Sequence, residues 1–464
     1  MPGRPCISEA RSFPSGTPQR RNLRKVCTAN ICLTNVIVTE DATGAVTVKE
    51  NVSTERENAD MAKAAAEATE TVAETGNADA AEAIERIRTM KVAVVILNWN
   101  TVDYLRNYLP GLISSVKGHD AAVIVADNGS TDGSVEMLEK EFPEVERIVF
   151  DHNLGFTGGY NKALGMVDAE YFVLANSDIE FSEGWLGPML ETMEKYPRTG
   201  ACAPKLHSMS DREMFEYAGA AGGLIDRFGF PFCLGRMLGT VEKDGGQYDH
   251  DNAILWVSGA CMMVRSSVFR EMGGLDERFF AHMEEIDLCW RMQTAGYEVR
   301  TAYKSVVWHV GGGTLPAKSP WKLKLNYRNN LLMLQNNLPS TEALLMTKEK
   351  DVGKMSGEEI GKICREACRK AGRKIFVRML IDGLAATAYL LKLDWASFRA
   401  VLNAHREFRK LGIAPDPGKV AARLKAHPHA LIGGLYRGSI LWQALRHGKK
   451  AISRTDNTDQ YFWN

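Results

Sequence analysis

Short apolar runs alternate with amphipathic segments from Lys91 onward. Five runs are predicted strands: 92–97, 121–126, 147–150, 171–175 and 200–204. Four segments between them have helical spacing of apolar residues: 102–116, 133–140, 158–167 and 184–195. Strands that alternate with helices indicate a parallel sheet with helices on its faces. The predicted fold class is therefore α/β with a mostly parallel sheet, and ligands are expected beyond the carboxyl ends of its strands.

The regions before and after this α/β segment differ from it in composition. Residues 1–89 combine a Pro/Ser/Arg-rich start with an Ala/Glu/Thr-rich stretch, and they offer few large apolar residues. Such a composition predicts disorder or a loose helix. Because Met90 stands directly before the first strand, an upstream misassigned start codon is an equal alternative. We predict three regions: an extension at 1–89, an α/β domain at 90–339 and a basic, helical region at 340–464.

Two stretches of the C-terminal region, 375–393 and 435–450, mix apolar and basic residues in a helical pattern. A basic helix with an apolar, aromatic face is typical of a segment that lies on an anionic membrane surface. The same pattern is equally typical of helices that pack on a neighbouring domain. Membrane contact through this region is thus one of two predictions.

The bulk composition narrows the class of function. Lys plus Arg total 57, as do Asp plus Glu, so net charge does not favour nucleic acid as a partner. The nine cysteines are scattered without a Cys-x-x-Cys pair, which is typical of a reducing compartment. Neither a secretory signal pattern nor an apolar run of about 18 to 20 residues is found. We expect a cytoplasmic protein, or one peripheral on the inner face of the cytoplasmic membrane.

Polar residues follow the first two predicted strands. Asn98 and Asn100 stand where a dehydrogenase carries a Gly-x-Gly-x-x-Gly turn, which argues against a dinucleotide cofactor. Both residues can bind a ligand or simply cap the next helix. Asp127 and Asn128 open a run of small polar residues, and either can accept a hydrogen bond from a pyrimidine ring. These four residues are candidate nucleotide contacts.

A glycine-rich stretch follows the third predicted strand. It contains Asn153 and Gly158, and its glycines permit close approach of a ligand to the backbone. An ordinary glycine-rich loop is the alternative. Its place at the same edge of the sheet as Asp127 favours the ligand-binding interpretation.

Asn176 and Asp178 follow the fourth predicted strand, and His309 ends another predicted strand, 305–310. Mg²⁺ and Mn²⁺ prefer oxygen ligands, and Mg²⁺ commonly takes one or two carboxylates plus phosphate oxygens. Asp178 suits that role, although the same triplet also makes turns and helix caps. A histidine before three glycines can reach the same ion or be structural.

Three carboxylates, Glu284, Glu285 and Asp287, lie within four positions before an apolar helical pattern. A solvated helix start accommodates acidic side chains and is the alternative interpretation. The apolar and aromatic neighbours instead favour acids that face a cleft. There, burial raises the pKa of a carboxyl group and suits it to accept a proton from a hydroxyl.

Seven motifs in a fixed order resemble glycosyltransferase family 2, particularly bacterial rhamnosyltransferases and galactofuranosyltransferases. The resemblance covers residues 91–339. Its motifs are 95–100, 127–132, 153–156, 176–178, 256–260, 273–277 and the acidic segment ending at Arg291.

The resemblance implies a GT-A fold, with a Rossmann-like sheet, and an inverting reaction assisted by Mg²⁺ or Mn²⁺. Asp178 matches the metal-binding acid of the family's Asp-x-Asp-type motif, and Asn176 replaces the first aspartate. His309 then becomes a second candidate ligand. Glu285 stands where the family has its catalytic aspartate, with Glu284 and Asp287 as supports or alternatives.

The predicted function is transfer of a sugar from a nucleotide-diphosphate donor, dTDP-rhamnose or a UDP-sugar, to a hydroxyl group. The acceptor is expected to be a cell-envelope glycan or a lipid-linked saccharide. Two alternatives stay open: an inactive glycan-binding or scaffold protein, and a sugar-1-phosphate nucleotidyltransferase. The latter should carry a Gly-rich phosphate loop after the first strand, and the sequence around Trp99 does not supply one.

Overall fold

The structure, a computed structural model, describes residues 36–40, 46–50, 90–251, 254–311 and 319–447. The chain divides into two compact units, Met1–Arg88 and Thr89–Asn464. In the first unit, β1 (Val36–Glu40) and β2 (Val46–Glu50) form an antiparallel pair. The remainder of the predicted 1–89 extension lies outside the described residues.

The described part of the second unit alternates strands and helices before it becomes helical. Its strands are β3 (Met90–Asn98), β4 (Ala121–Asp127), β5 (Glu146–Val149), β6 (Ala169–Ala175), β7 (Ile179–Phe181), β8 (Thr199–Ser208), β9 (Gly223–Asp226), β10 (Pro231–Cys233), β11 (Arg236–Met237), β12 (Thr240–Val241), β13 (Cys261–Arg265), β14 (Glu298–His309) and β15 (Leu435–Tyr436). Its helices are α1 (Val102–Ser115), α2 (Ser134–Glu141), α3 (Gly155–Leu164), α4 (Leu186–Lys195), α5 (Ser266–Glu271), α6 (Glu284–Thr294), α7 (Pro320–Thr347), α8 (Gly357–Leu391), α9 (Trp395–Leu411), α10 (Pro417–Ala426) and α11 (Ile440–His447).

Eight strands form the main sheet in the order β5-β4-β3-β6-β13-β8-β14-β7. Strands β5, β4, β3 and β6 are parallel, as are β8 and β14, whereas β13 is antiparallel to β6 and β8. Strand β7 is antiparallel to β14. The predicted α/β class with a mostly parallel sheet is confirmed. The insertion of β13 is an addition that the apolar pattern did not reveal.

Alternate residues of β3 face two separate cores. Val92 and Val94 pack on one side of the sheet, and Ala93 and Val95 pack on the other. Because side chains alternate along a strand, a continuous apolar run is buried on both faces. The helices that cover these faces leave the carboxyl edge of β3, β4 and β6 as the place where polar residues gather.

Several predicted helix boundaries differ from the structure. In the α/β domain they shift by up to three residues, and α8 begins at Gly357 rather than at residue 375. Helix α3 begins at Gly155 rather than at residue 158, because Asn153 Oδ1 accepts a hydrogen bond from Gly155 N at 2.8 Å and starts the turn early. In the C-terminal region, Leu435 and Tyr436 form β15, which is parallel to β9, so α11 begins only at Ile440. Residues 448–450 of that predicted helix lie outside the described residues.

The C-terminal helices pack on the α/β domain. Trp290 of α6 donates from Nε1 to Thr341 Oγ1 of α7 at 3.0 Å, and Arg378 of α8 donates to Gly229 O at 2.9 Å. The boundary predicted at 339/340 falls inside α7. Among the described helices, none is both long enough and apolar enough to cross a bilayer.

Candidate active site

The carboxyl ends of β3, β4 and β6 lie side by side and are joined by polar side chains. Asn98 Nδ2 donates to Asp127 Oδ2 at 2.8 Å, which links β3 to β4. Thr101 and Ser177 share a hydroxyl hydrogen bond of 2.7 Å, which links the end of β3 to the segment after β6. The structure therefore brings the predicted residues of these three strands to one edge of the sheet.

The first two asparagines shape this edge. Asn98 is fully buried and accepts a hydrogen bond from Thr101 Oγ1, whereas exposed Asn100 accepts one from Thr131 N at 2.8 Å. At the start of α1, the backbone N–H of Val102 donates a hydrogen bond to the carboxylate of Asp132 at 2.9 Å. The predicted capping role thus belongs to Asp132 rather than to either asparagine.

Asn128 holds the glycine-rich loop in place. Its amide nitrogen donates to Asn153 Oδ1 at 3.1 Å and to Gly155 O at 3.0 Å, and its oxygen accepts from Leu154 N at 3.0 Å. Gly158 lies one turn into α3, where an added Cβ would be 3.4 Å from the Cβ of Leu154. The amide of Asn128 is therefore committed to the loop.

Asp127 is buried beside this loop and accepts from protein donors at both oxygens. Asn98 binds Oδ2, and Ser130 N donates to Oδ1 at 2.8 Å. A carboxylate has about four acceptor positions, so Asp127 retains capacity for a ligand N–H. The contact with the pyrimidine base of a nucleotide that was expected of Asp127 and Asn128 stays a prediction.

Asp178 and His309 are brought together across the strand pair β7–β14. His309 Nε2 lies 3.2 Å from Asp178 Oδ1, and Val310 N donates to Asp178 O at 3.1 Å. Asn176 Nδ2 lies 3.4 Å from the same imidazole nitrogen. The three residues singled out from two distant segments therefore converge on one point.

Glu216 is a fourth member of this cluster that the sequence did not single out. Its Oε1 lies 3.6 Å from His309 Nδ1, and its Oε2 accepts a hydrogen bond from Ala218 N. Burial would lower the pKa of His309, but the two carboxylates Asp178 and Glu216 outweigh burial and raise it to about 10. Because Glu216 lies in an irregular segment between β8 and β9, no local pattern marked it.

The donor set suits a divalent cation held by two protein ligands once the cation displaces the proton that the raised pKa places on His309, because only neutral imidazole binds a metal ion. Asp178 Oδ1 and His309 Nε2 face each other, and Glu216 Oε1 lies behind the ring at 3.6 Å from Nδ1, beyond hydrogen-bond distance. Within the described residues, no group of three His, Cys, Asp or Glu side chains could hold a metal ion. Further ligands would therefore come from donor phosphates or water, as Mg²⁺ commonly requires.

The predicted acids begin α6 and are buried to different degrees. Glu284 is buried and Glu285 is partly buried, and in each side chain Oε2 has no hydrogen-bond partner in the described structure. Burial raises the pKa of Glu285 to about 7. Burial and the neighbouring Glu285 raise the pKa of Glu284 well above its usual range. A pKa near 7 suits Glu285 to accept a proton near neutral pH.

Asp287 has a different environment from these two glutamates. It is fully buried and accepts hydrogen bonds from Arg291 Nε at 2.7 Å and from Asn336 and Asn337 at 2.8 Å each. These contacts tie α6 to α7. The structure thus places Asp287 in a support network and not beside Glu285 in a shared proton-accepting site.

Glu285 lies next to the segment that leads into β13. A Cβ added at Gly259 would be 3.6 Å from Glu285 Cβ and 3.5 Å from Phe156 Cζ. The next residue, Ala260, accepts a hydrogen bond from Asn176 N at 2.8 Å. The short Gly259–Ala260 step therefore connects the acid of α6 to the Asp178 cluster and to the glycine-rich loop.

The loop before α6 has a strained backbone. Phe280, His282 and Met283 have φ angles of 65°, 72° and 73°, in the left-handed region that side chains with a Cβ rarely adopt. Each such residue costs about 1–3 kcal/mol and persists only when its surroundings enforce it. Such strain is characteristic of functional loops, and here it directly precedes Glu284 and Glu285.

The mixed sheet, its covering helices and its polar carboxyl edge agree with the GT-A fold that the motif resemblance implied. Residues 93–273 match the family model for glycosyl transferase family 2. This match agrees with the family that the motif order predicted. The match ends before α6, so it does not include Glu285 or His309.

Curated relatives align over a similar part of the chain. An N-acetylglucosaminyl-diphospho-decaprenol L-rhamnosyltransferase of Mycobacterium tuberculosis is 29% identical over 220 residues, which are 44% of this chain and 71% of the relative. Rhamnosyltransferase WbbL of Escherichia coli is 24% identical over 213 residues, which are 44% of this chain and 78% of the relative. Among solved structures, S. aureus TarS 1–349 in complex with UDP-GlcNAc has a TM-score of 0.39 at 14% identity, covering 70% of this chain and 93% of that chain.

Proposed function

We propose that the protein is an inverting glycosyltransferase that uses a nucleotide-diphosphate sugar and a divalent metal ion. The observation that carries the proposal is the placement of Glu285, with its pKa raised to about 7, one short backbone step from the cluster of Asp178 and His309. A proton acceptor and a diphosphate site on opposite sides of a sugar are what a single displacement requires.

In this mechanism Glu285 takes the proton from an acceptor hydroxyl while that oxygen attacks the anomeric carbon. The bond from that carbon to the donor diphosphate breaks as the new bond forms, so the configuration inverts. Asp178 and His309 would hold the metal ion, which supplies positive charge against the departing diphosphate. Asn128 keeps the glycine-rich loop in the shape that lets its backbone approach the donor.

For the donor we propose dTDP-rhamnose, with a UDP-sugar as the alternative. The support is the rhamnosyltransferase activity named for the relatives from Mycobacterium tuberculosis and Escherichia coli. For the acceptor we propose a lipid-linked saccharide of cell-envelope glycan synthesis. The first of those relatives is named for such a polyprenyl diphosphate acceptor.

A donor screen by thermal shift tests this proposal. We expect one nucleotide sugar to raise the melting temperature by several degrees with Mn²⁺ or Mg²⁺ present, because a ligand at about 100 times its Kd stabilises the fold by about 2.7 kcal/mol. The same sugar without metal should have a much smaller effect. No shift and no hydrolysis with any donor would favour the scaffold alternative, and pyrophosphate release from a nucleoside triphosphate would favour the nucleotidyltransferase.

We further propose that α8 carries the protein's contact with the inner face of the cytoplasmic membrane. In its C-terminal half, the charged residues Arg378 and Asp382 point inward and form a buried ion pair of 2.9 Å. Its large apolar residues point outward, with Phe376 61%, Leu380 55% and Leu384 72% exposed. A helix that packs only on its own domain would show the opposite arrangement.

The outward face of α8 has two halves that match a bilayer surface. From 376 to 391 the exposed residues carry no charge, and we call Phe376, Val377, Leu380, Leu384 and Leu391 the apolar stripe. The preceding turns expose basic residues, which are Lys362, Arg365, Arg369 and Arg373. Such an order suits insertion among lipid chains beside anionic headgroups.

Replacing Leu380 and Leu384 together with glutamate is expected to reduce binding to phosphatidylglycerol-containing vesicles by at least about 10-fold, because about 1.5–3 kcal/mol of burial per leucine is lost. Vesicle co-sedimentation measures the change. A matched control adds the same charge at exposed Asn403 and Ala422 of α9 and α10. The membrane contact would be contradicted if the wild-type protein did not bind vesicles. It would also be contradicted if the wild-type protein formed a dimer that the Leu380/Leu384 double variant did not form.

A further inference from the structure

The strained loop before α6, Phe279 to Met283, is held by two neighbouring residues of α7. The side-chain amide of Asn329 donates to the carbonyl oxygens of Phe279 at 2.9 Å, Ala281 at 2.8 Å and His282 at 2.7 Å. An amide has two protons, so one of them is shared between two acceptors. Asn329 is fully buried, which leaves no water to replace these contacts.

Arg328 reinforces the same hold. Its Nη2 donates to Phe279 O at 2.7 Å, and its Nε donates to Asn329 Oδ1 at 2.8 Å, which fixes the orientation of the amide. Its Nη1 binds Glu407 of α9 at 3.1 Å. The loop is thus anchored through α7 to a second helix of the C-terminal region.

The carbonyl of Phe280 contacts the glycine-rich loop that follows β5. Phe280 O accepts hydrogen bonds from Phe156 N at 2.7 Å and from Thr157 N at 3.2 Å, at the start of α3. The ring of Phe280 lies against Gly155, where an added Cβ would be 2.6 Å from the ring. The Phe279–Met283 loop therefore contacts α7 on one side and the glycine-rich loop on the other.

We infer that Asn329, supported by Arg328, is a positioning residue that holds the Phe279–Met283 loop so that α6 presents Glu285 to the acceptor hydroxyl. The inference rests on the proposed function for its catalytic consequence. Its structural part, that Asn329 fixes the loop, stands on the contacts alone. Neither residue touches the reacting atoms; both act through the backbone that precedes Glu285.

Replacing Asn329 with alanine tests the inference, with Asn330→Ala as the matched control. Asn330 is the next residue of α7 and equally buried, but its amide donates to Gly229 O at 2.8 Å, outside the loop. Hydrogen exchange followed by mass spectrometry should show faster exchange over residues 279–287 in Asn329→Ala only. In the transferase assay kcat should fall about 10- to 100-fold, since misplacement of a reacting group by about 1 Å has that effect, while the donor KM stays within about 2-fold.

A pH profile adds a readout that general destabilisation would not give. Burial raises the pKa of Glu285 to about 7, so a loosened loop that admits water should move the acid limb of kcat toward lower pH. Arg328→Lys, which keeps the positive charge opposite Glu407, provides a milder variant if Asn329→Ala does not fold. Its exchange over 279–287 and its kcat should change in the same directions.

The outcomes separate the inference from the proposed function. The positioning role would be overturned if Asn329→Ala and Asn330→Ala had the same hydrogen exchange over residues 279–287, the same kcat and the same acid limb in the pH profile of kcat. Faster loop exchange with unchanged turnover would overturn its catalytic part. Wild-type protein without transfer to any acceptor would instead refute the proposed function, and the exchange comparison would still decide whether Asn329 fixes the loop.

Discussion

Glu285→Gln is expected to lower sugar transfer by about 10²- to 10⁴-fold, the usual contribution of a general base. Glutamine has nearly the same shape as glutamate but cannot accept the acceptor's proton. Donor binding should persist, because Glu285 lies beside Gly259 and not among the residues proposed to hold the diphosphate. Initial rates with saturating donor, together with thermal shift by the same donor, measure the two effects separately.

Stability gives a check that the glutamine variant is folded. Burial raises the pKa of Glu285 from its ordinary 4.5 to about 7, so at pH 8 the native state holds a carboxylate in an unfavourable site. Stability from this group is greatest below its unfolded pKa and declines as pH rises through about 7. The variant should therefore melt at the same or a higher temperature than wild type at pH 8.

The wild-type pH profile and a control variant complete this test. Turnover should rise with pH and level off above about pH 7, as Glu285 loses its proton. Glu271→Gln makes the same chemical change at an exposed acid that accepts a hydrogen bond from Tyr297 and should leave turnover unchanged. If Glu285→Gln had normal turnover, Glu285 would not be the general base, and Glu284, whose pKa is also raised by burial, would be the next candidate.

The sequence predicted the parallel part of the sheet because its signal is local. In β3, Val92 and Val94 face one core and Ala93 and Val95 the other, and burial on both faces requires an unbroken apolar run. Strand β13 carries a similar run, but its antiparallel place between β6 and β8 depends on the path of the chain. The local spacing of apolar and polar residues does not show which distant segments pair in this way.

The candidate site divides in the same way. Asp178 and His309 were singled out from strand ends, and the structure brings them to 3.2 Å. Glu216 and Asn329 were not singled out, because Glu216 lies in an irregular segment and Asn329 lies inside a long helix that mixes polar and apolar residues. Each lies against a residue that is distant in the sequence. Glu216 lies near His309 Nδ1, and Asn329 donates to the carbonyl oxygens of the loop before α6.

Helix α8 shows a third limit of local pattern. Its sequence has an apolar face and a charged face, but the pattern does not say which face is inside. Arg378 and Asp382 are buried because they pair at 2.9 Å and because Arg378 also lies over the ring of Phe230. Once the charges are satisfied inside, the leucines at 380 and 384 are left facing outward.

Asp178→Asn is expected to abolish the metal-dependent part of donor binding and to lower transfer by on the order of 10³-fold, because a bound metal ion contributes several kcal/mol to a transition state that carries developing charge. The replacement keeps the shape of the side chain, and Val310 N still binds the backbone oxygen of residue 178. Loss of the carboxylate leaves only His309 of the two proposed protein ligands. Mn²⁺ binding followed by electron paramagnetic resonance, with and without donor, measures the effect independently of turnover.

The control and a gain-of-function variant sharpen this prediction. Asp168→Asn, just before the opposite end of β6, removes an acid that pairs with Arg270 at 3.6 Å and should leave Mn²⁺ binding unchanged. Asn176→Asp adds a carboxylate where the amide lies 3.4 Å from His309 and should tighten Mn²⁺ binding. If Asp178→Asn binds Mn²⁺ as wild type does, the ion pair between His309 and Asp178 is structural, and the diphosphate must be held by backbone donors of the glycine-rich loop instead.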